Sequence, residues 1–147
     1  MSAPASDPFH LQRFLDAQAH VYTQVLAELH DGRKRTHWMW FIFPQIAGLG
    51  SSDMARHFAI SGRAEALAYL AHPTLGPRLR ECTELVNQVP NRTPNRTIAD
   101  IFGYPDDLKF RSSITLFAGV APGEAVFRTA LDQYFAGESD PATLARL

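Results

Sequence analysis

The feature that most constrains the fold is a run of seven residues, His-Trp-Met-Trp-Phe-Ile-Phe, at positions 37–43. The run holds both tryptophans of the chain, and Pro44 follows it directly. Large aromatic side chains contribute much of the buried area in protein cores, so a segment of this composition must be enclosed. Whatever the fold is, it has to surround residues 37–43.

Two conformations are compatible with this run. As a strand it would bury both faces, and its aromatic content favours that conformation. As a helix it would bring His37, Trp40 and Phe41 together on one side. The sequence contains no second convincing strand, and a lone strand leaves its backbone groups unpaired. We therefore predict a short buried helix that ends at Pro44.

Helical spacing of apolar residues dominates the first thirty residues. Asp7-Pro8 is typical of a helix start, with Asp as the N-cap and Pro in the first turn. Apolar residues then recur at helical spacing as far as Leu29, with Gln24 and Glu28 on the opposite, polar face. We predict one helix that Asp31-Gly32 ends.

The same pattern continues to the end of the chain. An amphipathic helix is predicted from Thr74 to about Asn87, followed by a loop over residues 89–97, where Pro, Asn and Thr concentrate. Thr97–Asp100 has the form of a capping box, and Asp140-Pro141 repeats the Asp-Pro start. We predict an all-α fold, a single compact domain of six to eight mostly short helices over residues 7–147. Residues 1–6 are predicted to form a disordered tail.

The composition narrows the possible functions. Lys and Arg number 14 against 15 Asp and Glu, and Arg33-Lys34-Arg35 is the main basic cluster, so we do not expect nucleic acid as a partner. Cys82 is the only cysteine, which excludes an intramolecular disulfide, and its apolar neighbours predict a buried side chain. The six histidines are scattered, so we expect no metal site and no cofactor.

The sequence also bears on localisation. No apolar run approaches the ~20 residues needed to span a bilayer. The first seven residues lack the basic and apolar regions of a secretory signal peptide. We expect a cytoplasmic protein that does not associate with membranes.

A polar turn after the aromatic run is the first candidate for a binding site. It contains Gln45, Gly48, Gly50, Ser51 and Ser52. Glycines allow the backbone to approach a ligand closely, and a helix that begins near Ser52 would offer free N–H groups to an anion. A plain turn followed by an N-cap residue explains the same pattern.

A predicted helix later in the chain is the second candidate. Lys109, Ser112 and Ser113 share one of its faces, at spacings of three and four residues. These hydroxyls either line a pocket or bond to carbonyls one turn earlier in the helix.

The aromatic run supplies further candidates. Trp38 and Trp40 either stack on a ligand or belong to the core. His37 is a candidate acid or base, or a residue that bridges backbone groups.

Several motifs together resemble one known family. These motifs are His37–Gln45, Gly48–Ser51, Glu65–Pro73, Leu79–Glu81, Ile101–Gly103, Asp107–Lys109 and Ser112–Phe117. They are similar to the bacterial family called domain of unknown function 1810 (DUF1810), over nearly the whole chain from about Asp7. The resemblance implies a small helical protein and supplies no catalytic residues. Family members are often labelled calpastatin, which does not fit, since inhibitors of calpain are long, disordered and repetitive.

The pattern supports two functional hypotheses. The first is a pocket for an anionic small molecule of the nucleotide or sugar-phosphate type, possible for an enzyme as well as for a binding protein. The alternative is a protein-interaction module without catalysis, which predicts an exposed apolar patch. The sequence itself defines no reaction.

Overall fold

The computed structural model describes residues 6–147, and this part of the chain contains ten helices and no β-strand. The predicted all-α class is confirmed, and six of the helices have seven residues or more. Of the predicted tail, residues 1–5 lie outside the described residues. The helices are α1 (Gln12–Gln18), α2 (Tyr22–Asp31), α3 (Met39–Ile42), α4 (Asp53–His57), α5 (Arg63–Ala71), α6 (Leu75–Arg92), α7 (Ile98–Phe102), α8 (Asp106–Val120), α9 (Ala125–Phe135) and α10 (Pro141–Leu144).

The aromatic run forms the predicted short helix, α3, which ends before Pro44. Phe43 lies at the centre of the core, with its ring perpendicular to those of Phe110 and Phe102 at centroid distances of 5.0 and 5.8 Å. The chain that follows α3 makes an isolated parallel bridge between Ile46 and Ile60. In this bridge the Ala47 N–H donates to the Ile60 carbonyl and the Ile60 N–H donates to the Gln45 carbonyl, both at 2.8 Å.

The prediction of one helix up to Leu29 is wrong, because α1 and α2 are separate. The break follows Gln18, whose buried side-chain amide donates to the carbonyl of Phe41 at 2.8 Å and fixes α1 against α3. The Asp7 carboxylate accepts from the backbone N–H groups of Leu11 (2.7 Å) and Gln12 (3.0 Å). These bonds lower the pKa of Asp7. The prediction that Asp7 is the N-cap and Pro8 the first helical residue is wrong, because α1 begins at Gln12 and Leu11 is its N-cap.

Helix α6 extends to Arg92, so the predicted loop is wrong over residues 89–92. Pro90 lies inside the helix and has no N–H to offer the carbonyl of Val86, one turn earlier. The hydroxyl of Tyr134, on α9, donates to that carbonyl instead, at 2.5 Å. A tertiary contact therefore allows the helix to pass a proline.

Helix α8 is the central element of the fold. It packs against α3, α5, α7, α9 and α10, and Phe110, Ile114 and Phe117 are fully buried in it. Both helix starts predicted near it are confirmed. Thr97 and Asp100 form a reciprocal capping box at α7, and the Asp140 side chain caps α10.

Candidate functional site

The two predicted polar segments meet at one cavity. The loop after α3 and the first two turns of α8 line an open cavity of about 450 Å³, with the start of α10 on one side. We call it the Lys109 cavity. Six of the predicted site residues line it: Gln45, Gly50, Ser51, Ser52, Lys109 and Ser112. The other lining residues are Leu49, Ala55, Pro105, Leu108, Asp140 and Ala142.

Lys109 supplies the positive charge of this cavity. Its ammonium lies 3.6 Å from one oxygen of Asp106 and 5.2 Å from the centroid of the Trp40 ring. The other oxygen of Asp106 lies 2.9 Å from the ammonium of Lys34. Because one carboxylate serves two lysines, the three groups carry a formal net charge of +1 at pH 7. Lys109 is thus held by a cation–π contact and a shared ion pair, and its charge is only partly balanced.

Asp140 supplies a carboxylate that the sequence analysis did not select. Its Oδ2 atom accepts from the hydroxyls of Ser112 (3.0 Å) and Thr143 (2.6 Å) and from the Thr143 N–H (3.2 Å). Its own N–H donates to the Thr115 hydroxyl at 2.9 Å. No side chain or backbone group within residues 6–147 donates to Oδ1, so this oxygen can accept a bond from a ligand. The Asp140-Pro141 pattern indicated a helix cap, but nothing in it indicated proximity to α8.

Three residues of the turn, Gly48, Gly50 and Ser52, have structural roles. The Ser52 hydroxyl accepts from the Ala55 N–H at 3.1 Å, so it caps α4 as the simpler interpretation predicts. Gly50 has room for no side chain, because a Cβ atom there would lie 2.7 Å from the Cβ of Ala55. Gly48 has φ +97° and packs against Arg146, away from the cavity wall.

Comparison with known proteins is consistent with this fold. Residues 8–147 match the model of the family described as "Protein of unknown function (DUF1810)". The chain belongs to this family. It is 54% identical to the conserved hypothetical protein Rv1873 from Mycobacterium tuberculosis, whose crystal structure superposes with a TM-score of 0.92. The alignment covers 96% of this chain and 98% of that one. No curated protein matches the chain.

The remaining predicted site residues of this DUF1810 member lie outside the cavity wall. His37 is exposed, and its ring has no hydrogen-bond partner in the described part of the chain. Trp38 is 1% exposed and donates from Nε1 to Glu28 at 3.1 Å, so it belongs to the core. Trp40 is partly buried and reaches the cavity only through its contact with Lys109.

Three further observations concern metal binding, membrane spans and the cysteine of this family member. No group of three or more His, Cys, Asp or Glu side chains among residues 6–147 is arranged to hold a metal ion. None of the described helices has the length and apolar character that crossing a membrane requires. Cys82 is fully buried, and burial raises the pKa of its thiol to about 12, which keeps it protonated at neutral pH.

The neighbouring serines of α8 differ in their hydrogen bonding. The Ser112 hydroxyl donates to Asp140 Oδ2 at 3.0 Å and also lies 3.1 Å from the Leu108 carbonyl, whereas the Ser113 hydroxyl is fully buried and has no partner among the described residues. An unsatisfied buried hydroxyl costs free energy. We expect Ser113→Ala to raise the free energy of unfolding by about 1 kcal/mol, measured by urea denaturation. Ser112→Ala is the matched control and should lower the free energy of unfolding, because it removes a hydrogen bond. If Ser113→Ala were destabilising and Ser112→Ala stabilising, the hydrogen bonds assigned to the two serines would be wrong.

Proposed function

We propose that the Lys109 cavity binds a small anionic molecule of the nucleotide or sugar-phosphate type. The observation that carries the proposal is the partly balanced ammonium of Lys109 at a concave site. Leu49, Pro105 and Leu108 add apolar surface to the wall. A few polar groups in a mainly apolar concave wall is the usual composition of small-molecule sites, and about 450 Å³ is within their usual size range.

Asp140 supports the choice of ligand class. Its free Oδ1 atom can accept from a hydroxyl or an amino group, which sugars and nucleobases both present. One ammonium matched with one carboxylate favours a ligand with a single phosphate or carboxylate group over a polyphosphate chain, because additional negative charge would face Asp140. In this proposal Lys109 contacts the anion, Asp140 orients the rest of the ligand, and Trp40 positions the lysine. His37 has no role, because it does not line the cavity.

Binding can be tested by calorimetric titration with a panel of nucleoside monophosphates and sugar phosphates. We expect at least one to bind, and Lys109→Gln to weaken that binding about tenfold, because a charge-assisted hydrogen bond is lost. Arg63→Gln is the matched control, because Arg63 is exposed and does not line the cavity. If no compound in the panel binds, or if Lys109→Gln binds as tightly as the unmodified protein, the proposal is wrong.

One observation favours the alternative, a protein-interaction module. Tyr104 is 81% exposed and Leu108 is 48% exposed, and Pro105 between them lines the cavity. Exposed apolar side chains of this size are common at contact surfaces. Binding of a protein partner that persists in Lys109→Gln but is lost in Tyr104→Ser would favour this alternative over a small-molecule site.

A further inference from the structure

A second cavity, of about 430 Å³, lies where the chain after α2 meets the end of α7. We call it the basic cavity. Its wall consists of Arg33, Lys34, Arg96, Ala99, Asp100, Ile101, Phe102 and Gly103. None of the residues predicted as a binding site from the sequence belongs to it. Arg33 and Lys34 are adjacent in sequence, but Arg96 comes from the segment between α6 and α7.

Neither arginine of this cavity forms an ion pair within residues 6–147, although Arg96, after the hydrogen bonds from Thr97, helps to lower the pKa of the Asp100 carboxyl. Arg33 is exposed, and its guanidinium makes no ion pair or hydrogen bond in the described part of the chain. Arg96 is fixed through backbone only, with Nε donating to the Gly32 carbonyl (3.0 Å) and Nη2 to the Asp100 carbonyl (3.3 Å). Its Nη1 atom makes no bond within residues 6–147. One guanidinium is thus held in position and the other can close on a ligand.

The carbonyl oxygens of the cavity that would oppose an anion already accept hydrogen bonds, and its one carboxylate is outnumbered by cations. The end of a helix presents carbonyl oxygens, which oppose negative charge. Here the Ile101 carbonyl accepts from the Lys34 N–H at 2.7 Å, and the Asp100 carbonyl accepts from Arg96. The Asp100 carboxylate, the only one in the wall, accepts from the Thr97 N–H at 3.0 Å. Three cations therefore face one carboxylate, and Lys34 is the one that pairs with Asp106.

We infer that the basic cavity binds a phosphate group carried by a small molecule. Guanidinium groups bind phosphate oxygens with paired, charge-assisted hydrogen bonds, and two arginines line this cavity. A nucleic acid is a poorer match, since the chain has a net charge of −1 and the patch offers only two unpaired guanidiniums. This inference does not depend on the proposed function, because the two cavities share no wall residue.

The inference can be tested by titrating the ¹⁵N-labelled protein with inorganic phosphate at constant ionic strength, with chloride as the reference anion. We expect saturable shifts in the backbone amide signals of Arg33, Lys34 and residues 99–103. Arg33→Gln should weaken binding about tenfold, because it removes a charge-assisted contact. This variant should fold normally, since the Arg33 side chain is exposed and makes no hydrogen bond or ion pair within residues 6–147, and the bond from its backbone N–H to the Glu28 carbonyl is kept. Arg63→Gln, the matched control, should bind phosphate like the unmodified protein.

Three outcomes would overturn the inference. The first is that phosphate and chloride cause the same shifts. The second is that Arg33→Gln and Arg63→Gln bind phosphate equally well. The third is that saturable shifts occur only at residues of the Lys109 cavity, such as Ser51 and Lys109, which would instead support the proposed function. Because the shifted amide signals locate the bound phosphate either at residues 33–34 and 99–103 or at Ser51 and Lys109, failure of one proposal can be separated from failure of the other.

Discussion

Replacement of Glu28 by Gln is expected to lower the free energy of unfolding at pH 7 by about 3–5 kcal/mol. Glu28 is fully buried, and its carboxylate accepts five hydrogen bonds. The donors are Arg35 N–H, Thr36 N–H, Trp38 Nε1, the Thr36 hydroxyl and the Gln24 amide. Gln has one acceptor oxygen, and its NH₂ group would face some of these donors.

The same carboxylate makes stability depend on pH. Burial tends to raise the pKa of Glu28, but the hydrogen bonds from the Thr36 hydroxyl and the Arg35 and Thr36 amides outweigh it and lower the pKa to about 2. The ordinary value is 4.5. Because the folded-state pKa is depressed, this contribution is fully present above pH 4.5 and is lost as the pH falls towards 2. The depressed pKa of Glu28 corresponds to a contribution of about 3 kcal/mol to the free energy of unfolding at pH 7.

Urea unfolding followed by tryptophan fluorescence, from pH 7 down to pH 2.5, measures both effects. The difference between the unmodified protein and Glu28→Gln should shrink as the pH falls below about 4.5. Glu84→Gln is the matched control, because Glu84 is exposed and accepts one bond from Gln88. It should change stability by less than about 0.5 kcal/mol. A constant difference at every pH would contradict the role assigned to Glu28.

Glu28 also shows where sequence periodicity is insufficient. Helical spacing placed it with Gln24 on the polar face of the first helix, and a polar face is normally solvated. In the structure, the segment from Arg35 to Trp38 folds back over this face and encloses the carboxylate. Periodicity describes one helix at a time, so it does not indicate which face a later segment will cover.

The elements that could be predicted are those fixed by local chemistry. The capping box at Thr97 and the Asp140 cap depend on residues within one turn, and both are present. The helical state of residues 39–42 followed from the lack of a strand partner. The extension of α6 through Pro90 was not predictable locally, because it depends on the Tyr134 hydroxyl from another helix.

The candidate sites follow the same division. The turn around Gly50 and the Lys109–Ser112 face were selectable because glycine, serine and lysine cluster locally in each. Asp140 and Arg96 could not be selected from the sequence, because each lines its cavity only through the packing of helices that are distant in sequence. Trp38 was selected for its chemistry, yet its indole N–H serves the buried Glu28. A residue's type indicates what it can bind, whereas its burial decides whether a ligand can reach it.

The second large effect is expected at the buried ion pair of Arg13 and Glu65. Their closest side-chain atoms are 2.7 Å apart, and the side chains are 9% and 4% exposed. Arg13 also donates to the carbonyls of His57 and Ala59, which ties α1 to the segment between α4 and α5. Glu65 accepts from the N–H and hydroxyl of Ser61. Arg13→Met should lower the free energy of unfolding by about 3–5 kcal/mol, because it leaves Glu65 buried without its cation.

A double-mutant cycle with Glu65→Gln separates the ion pair from the other bonds of Arg13. Denaturant unfolding of the four proteins should show that the double variant loses about 1–3 kcal/mol less than the sum of the single variants. The exposed pair Arg128–Asp132 is the reference, and Arg128→Met should cost less than about 1 kcal/mol. Strict additivity at Arg13 and Glu65 would show that the carbonyl contacts of Arg13, rather than its charge, stabilise this junction.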